Sequence, residues 1–454
     1  MTAYSIIKKS ELEGATRLDA EYYQPEYLEI AAKLKDAQHK LLGDISESLV
    51  SFGAYALTNF IEWKESGVPF IVAENIKEGF VDYESARYID DKTDEILKKS
   101  RVKENQVLLA MSGSVGNAAV ACEIPIKLNS NQDIVKITLN KGISPFYVAV
   151  FLNSRYGRMQ VLRLPVGSVQ QHIFLWQTKS LLIPIFPNKV TSAIEKIFKT
   201  GLNEQKKSKL LYSQAETLLL EELGLKDFEA KEDLSCVVNL SDVKEAGRID
   251  AEFWQPKYER LLEKIKNYGG EKLFDVVENV AAKFDPSSKP DTAFKYVELS
   301  NINSSIGVID GFSDVLGKEA PSRAKRILKE GDVIVSSVEG SLGKVALVHS
   351  EQDDFLASTG FFQFRAKDIL PEVLLILAKS PIMQMQLEKQ TAGTILTAVP
   401  KNAVENVFIP ILPKPTQQKI ADLVRRSHEA RKRAKELLEE AKRKVEEMIE
   451  KVKD

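Results

Sequence analysis

Gly340-Ser-Leu-Gly343-Lys344 is the stretch that most invites a chemical reading. A glycine turn ending in lysine can cradle a phosphate, because bare backbone N–H groups and an ammonium converge on its oxygens. The spacing that does this in nucleotide-binding loops is GxxxxGK followed by Ser or Thr. Here Val338 stands where the first glycine belongs, and Val345 follows the lysine. A nucleotide site is not expected, which leaves a plain hairpin turn or a tight turn near DNA. Pro290-Asp291 could open a PD…(D/E)xK nuclease set, but no acidic-x-Lys follows in its domain. No Asn/Asp-Pro-Pro-Tyr/Phe occurs, so adenine methyltransferase chemistry is not expected either. Cys122 and Cys236 lie far apart, which excludes a cysteine-based zinc site and suggests a reducing compartment. His39, His172, His349 and His428 show no HxH or HExxH spacing, and His172 and His428 read as lone structural residues. No metal site, cofactor or catalytic residue is expected.

The composition must position whatever chemistry remains. The 454 residues are enough for two or three domains, and 44% are apolar. The 63 basic and 65 acidic residues leave a net charge of −2, so any anion-binding face is a local patch. The first residues lack the apolar core of a signal peptide, and no uncharged apolar run reaches membrane length. The expected location is cytoplasmic, with no membrane partner.

The chain repeats itself. Arg17-Leu-Asp-Ala-Glu-Tyr-Tyr-Gln-Pro25 recurs as Arg248-Ile-Asp-Ala-Glu-Phe-Trp-Gln-Pro256, an offset of 231 residues. The offset then settles near 226. Lys103-Glu-Asn-Gln-Val107 matches Lys329-Glu-Gly-Asp-Val333, and Gly113-Ser-Val-Gly116 matches Gly340-Ser-Leu-Gly343. Val166-Gly-Ser168 matches Ala392-Gly-Thr394, and Ile183-Pro-Ile-Phe-Pro187 matches Ile409-Pro-Ile-Leu-Pro413. A period this long means a duplicated domain, since solenoid units are far shorter.

Each repeat begins with mixed elements. Gln106 to Met111 and Asp332 to Ser336 read as strands ending at glycine turns, and Phe146 to Leu152 reads as a short helix. Each ends in a helix after its double proline, Lys189 to Glu222 and Thr416 to Val452. The second carries Ile420, Leu423, Ser427, Ala430, Ala434, Leu437, Ala441, Val445, Met448 and Val452 at steps of three and four, as a helix–helix seam requires. The matched positions of the first are Ile194, Ile197, Gly201, Glu204, Ser208, Leu211, Ala215 and Leu219. Small residues on both seams let two backbones approach, so the helices are expected to pack on each other within one chain. Gly224 suits the position after a helix end. At 1.5 Å per residue such a helix is roughly 50 Å long, more than one turn of B-DNA.

The expected fold class is therefore α+β: two tandem α+β domains, separated and joined by two long antiparallel coiled-coil-like helices, with an internal pseudo-twofold repeat. The expected boundaries are residues 1–187 for the first domain, 188–225 for the central helical spacer, 226–413 for the second domain and 414–454 for the C-terminal spacer. Arg17–Asp19 and Arg248–Asp250 are expected ion pairs that position the domains on the helices. Tyr22-Tyr23 and Phe253-Trp254 are expected packing anchors.

This arrangement resembles the specificity subunits of type I restriction–modification systems. The resemblance rests most on Ile409-Pro-Ile-Leu-Pro413 followed by Thr416-Gln-Gln-Lys-Ile-Ala-Asp-Leu423. The first copy keeps the prolines, but Val190-Thr-Ser-Ala-Ile194 lacks the glutamine. Lys329 to Val335 and Gly340 to Lys344 also look like target recognition domains of that family. The resemblance implies a non-catalytic subunit whose two domains each read half of a split double-stranded DNA target. It implies helices that hold the domains apart and dock two modification (adenine methyltransferase) subunits, with restriction (motor–nuclease) subunits completing the complex. S-adenosylmethionine, ATP and magnesium would belong to those partners.

Most protein–DNA hydrogen bonds go to phosphates, while Arg or Lys reads guanine and Asn or Gln reads adenine. In the first domain the candidates are Arg87, Arg101, Ser114, Asn117, Arg163, Ser168, Gln170 and Gln171. In the second they are Arg323, Lys325, Arg326, Ser341, Lys344, Thr394, Thr397 and Lys401. Gly167-Ser-Val-Gln-Gln-His172 faces Gly393-Thr-Ile-Leu-Thr-Ala398, and such different loops predict an asymmetric target. Near-neutral charge and long helices also fit a tandem protein-interaction adaptor without DNA. A sharp fall of DNA affinity with salt separates the two readings.

Overall fold

A computed structural model describes residues 4–12, 17–51, 61–124, 126–165, 172–391 and 398–451. They form two compact units, Met1–Glu204 with Arg433–Asp454, and Gln205–Lys432. The division falls inside both long helices, so each unit owns one globular domain and a stretch of each helix.

The first unit is built on a four-stranded antiparallel sheet, in the order Ser46–Val50, Ile134–Leu139, Val107–Ala110, Ala118–Val120. All of Val107–Ala110 is buried because both faces of the sheet are covered. Val107 and Leu109 pack on the helix Pro145–Asn153, while Leu108 and Ala110 point to the other side and meet Ile71 and Ala73. That helix starts with proline, and the Ser144 hydroxyl accepts from Tyr147 N–H. A smaller sheet covers the second face. It runs Arg87–Ile89, Val68–Ile71, Asn129–Ser130, antiparallel then parallel.

The second unit repeats this plan and adds strands to both sheets. Its large sheet runs Val277–Asn279, Phe361–Ala366, Asp332–Ser336, Val345–Leu347, and adds Val308–Ile309 and Ile302–Asn303 at the edge. Its small sheet runs Ser313–Leu316, Ala293–Val297, Leu356–Ser358, Ala324–Ile327, with the central pair again parallel. His39–Leu41 pairs with Leu182–Pro184 in one unit, and Gly270–Lys272 with Phe408–Pro410 in the other. The double-proline motif is thus the end of an edge strand, where a missing N–H is tolerated.

The repeated Arg-x-Asp is an ion pair in both units, at 2.7 Å for Arg17–Asp19 and 2.6 Å for Arg248–Asp250. It does not reach for the long helices. Arg17 donates to the Leu164 and Pro165 carbonyls and Arg248 to that of Thr391, closing the chain after the helices Arg155–Leu162 and Pro381–Lys389. Tyr22 and Tyr23 are buried anchors as expected, and Trp254 Nε1 donates to Arg248 O.

The long helices are Asn188–Glu222 and Lys414–Glu450. They pack antiparallel in each unit. In the first, Gly201 lies against Ala434 and Leu437, and a Cβ added there would meet Ala434 O and Leu437 Cβ at 3.4 Å. In the second, Ser427 Oγ donates to Ser208 O at 2.7 Å, and Thr416 meets Glu222. The repeat carries Gly201 onto Ser427 and Ala434 onto Ser208, so one close approach maps onto the other. The seam drifts from the strict spacing: Val424 and Ile449 are buried in place of Leu423 and Met448, and Phe198 and Gln205 in place of Ile197 and Glu204. A straight helix has 3.6 residues per turn and slips relative to a seven-residue repeat. Gly201→Leu should force the backbones apart and destabilise the chain by about 1–3 kcal/mol, read from a shifted urea midpoint.

Candidate nucleic-acid interface

The small sheets carry the exposed cations. In the first unit Arg87 is exposed on the edge strand, its guanidinium 4.9 Å from the centre of the Trp63 ring. Trp63 is itself part-exposed and rests edge-on against Phe70. A cation held flat on an aromatic face keeps its outward N–H groups available for a phosphate or a base edge. In the second unit Arg323 and Lys325 are exposed while Ala324 and Arg326 are buried, with a β-bulge between Ala324 and Arg326. Lys295, two strands away on Ala293–Val297, lies exposed between Phe312 and Phe355, at 4.9 and 5.1 Å from their ring centres. Trp63 and Lys295 were not among the sequence candidates. The alternation of Phe294, Lys295 and Tyr296 was the available signal.

Four sequence candidates are engaged inside the domains. Arg101 bonds Asp94 and Glu95, each at 2.6 Å, and these carboxylates raise its affinity for its proton. Arg163 is buried, donates to Tyr22 O at 2.8 Å and stacks on the Tyr22 ring. Asn117 donates to Ile76 O and accepts from Arg158. Arg326 is buried, donates to Val280 O at 2.7 Å, and burial lowers its pKa.

The glycine turns are tight turns rather than cradles. Gly113 and Gly340 have φ of 62° and 73°, the left-handed conformation that favours glycine. Lys344 Nζ donates to Ile302 O at 3.0 Å, and Ser341 Oγ to Val338 O, so both side chains brace the turn. Ser114 is part-buried in the matching turn, where its carbonyl accepts from Asn117 N–H. Lys401 is exposed in the turn before Phe408–Pro410. Ser168, Gln170, Gln171, Thr394 and Thr397 lie outside the described residues.

His428 is not alone. Its Nδ1 is hydrogen-bonded to His349 Nε2 at 3.0 Å, its Nε2 reaches Ile306 O, and its ring stacks on Tyr212. Burial pushes its pKa down to about 3, so it is neutral and structural. His172 packs edge-on against Phe174. Among the described residues no group of three or more His, Cys, Asp or Glu could hold a metal ion, and no helix is long and apolar enough to cross a membrane.

Residues 272–442 match the family model described as the type I restriction modification DNA specificity domain. The chain is 24% identical over 156 residues to the specificity subunit of the type I restriction enzyme HindI from Haemophilus influenzae. That match covers 34% of this chain and 33% of the relative, so it spans a third of the relative's length. Among solved structures, the chain is similar to the S subunit of a type I restriction–modification system from M. genitalium, at 14% identity and a TM-score of 0.42 over 91% of this chain and 95% of that one. It is also similar to the HsdS subunit from Thermoanaerobacter tengcongensis, at 13% identity and a TM-score of 0.28 over 90% and 95%.

Proposed function

We propose that the chain is a specificity subunit of the type I restriction–modification kind and reads a split double-stranded DNA target, one half-site per domain; the match of residues 272–442 to the DNA specificity domain supports this reading. The observation that carries this reading is the doubled domain. The same two-sheet frame occurs twice, and each small sheet displays exposed cations beside exposed aromatics. The loop sequences differ, Gly167-Ser-Val-Gln-Gln-His172 in one repeat and Gly393-Thr-Ile-Leu-Thr-Ala398 in the other, so the two half-sites differ. The exposed cations hold phosphates and fix the register, and base edges are read from the adjoining loops.

The chain supplies recognition and no catalytic step. Modification subunits dock on the helices, and restriction subunits join through them. The small seam residues keep the two helices in close contact within each unit.

Mapping N6-methyladenine in the host, with and without the gene for this chain, tests the proposal. The expected result is one asymmetric split motif, with a fixed gap, that loses all methylation on deletion. A symmetric motif would overturn the expectation that the two half-sites differ. An unchanged map together with salt-insensitive DNA binding by the chain would favour the adaptor reading.

A further inference from the structure

Each domain hides one cation in the seam between its two sheets. In the first unit it is Lys136, 1% exposed, on the face of Ile134–Leu139 that meets the small sheet. Its Nζ donates to Ser130 Oγ at 2.9 Å, and that hydroxyl donates to Ser100 O at 3.1 Å. In the second unit it is Arg326, 3% exposed, on the small-sheet strand Ala324–Ile327. Its Nη1 bonds Val280 O, and its Nε has no hydrogen-bond partner among the described residues. Neither has a carboxylate partner among the described residues.

These are not matched positions of the repeat. Lys136 matches Gln363, and Arg326 matches Ser100. Yet the two charges occupy the same seam. Lys136 reaches through Ser130 to the carbonyl of Ser100. Arg326 grows from Ser100's place and bonds Val280, whose amide donates to Gln363 O. So the charge recurs while its source has moved from the large sheet to the small one. Burying a cation without a counter-charge is unfavourable, and an apolar side chain of similar size would be more stable there. Two independent occurrences of an unfavourable feature, at one place in two domains, call for a role outside folding.

We propose that Lys136 and Arg326 are positioning charges for DNA: each holds a positive charge in the seam behind the small sheet and draws phosphate onto that sheet without touching it. This rests on the DNA reading above. A charge enclosed by protein is screened less by salt and water than an exposed one, so its field reaches the sheet's outer face. Because it contacts no phosphate, it releases no counterion. It therefore strengthens binding without changing the salt slope, whereas an exposed contact changes both.

The test uses the full chain, a long random-sequence duplex and a series of salt concentrations, with binding followed by fluorescence anisotropy and folding by thermal melting. Lys136→Met should bind about three- to tenfold more weakly at every salt, with the slope unchanged, and should melt no lower than the parent. Lys136→Arg should bind within about twofold of the parent. Arg326→Lys should likewise hold its affinity, and Arg326→Met should lose it. Arg323→Gln is the comparison and should flatten the slope by about one phosphate contact. If Lys136→Met binds like the parent while Arg323→Gln does not, the buried charge has no part in DNA binding and the DNA reading stands. If Lys136→Met melts well below the parent, the charge serves stability and the proposal fails. If the parent itself ignores the duplex at low salt, the DNA reading fails with it.

Discussion

Reversing the charge of Arg323 and Lys325 together should cost the chain about 100-fold or more in DNA affinity at moderate salt. Both side chains are exposed on the small sheet of the second unit, and neither has an ion-pair partner among the described residues. Arg323→Glu with Lys325→Glu removes two phosphate contacts and puts two carboxylates against the phosphates. Like charge facing like suppresses association as well as weakening the complex. Because the residues are exposed, the melting temperature should stay within a degree or two. In the host, the half-site read by the second domain should lose its methylation. The same exchange at Arg87 should likewise weaken binding to the whole split target. An anisotropy titration in which the double variant matches the parent would remove the small sheet from the DNA face and return the search to the loops.

The second large effect is on stability. Asp332→Ala should destabilise the second unit by about 1–3 kcal/mol, because it removes a buried acceptor shared by Gln363, Arg365 and Lys329. Asp332 is 0% exposed and accepts from Gln363 Nε2 at 2.7 Å, from Arg365 Nε and Nη2 at 2.9 and 3.1 Å, and from Lys329 N–H at 2.9 Å. The first unit solves the same problem without charge. There Gln106 stands in the place of Asp332, accepts from Lys103 N–H at 2.8 Å, and donates to Thr138 Oγ1 at 3.0 Å. Asp332→Gln combined with Arg365→Thr should therefore recover at least about 2 kcal/mol relative to the sum of the single changes. Urea denaturation of the four proteins measures this cycle. Additive single effects would mean that the pair is not coupled, and that Gln363 carries the seam instead.

These two cases divide what a chain states locally from what it states only when folded. The duplication, the helix starts after each double proline, the strands around Val107 and Val333 and the tight turns at Gly113 and Gly340 were all legible in the sequence. Each rests on spacing, on period-two or near-3.6 apolar patterning, or on a residue with restricted backbone freedom, and all of these act within a few positions. The small residues on the helix seams were legible for the same reason. The exact phase of the seam was not: Leu423 gave way to Val424, and Met448 to Ile449, because the drift per turn accumulates along a 37-residue helix.

The partners of polar side chains belonged to the tertiary structure. Arg87, Arg101, Arg163 and Arg326 look alike in the sequence. One is left on the surface against Trp63, one is locked by Asp94, one is stacked on Tyr22, and one is sealed between sheets. His349 meets His428 across 79 positions, and Arg163 meets Tyr22 across 141. Lys136 stood unremarked in an apparently ordinary strand. Whether a charge faces water, a carboxylate or nothing depends on which strands stack over it. That stacking is decided by apolar burial summed over the whole domain, not by the residues on either side of the charge.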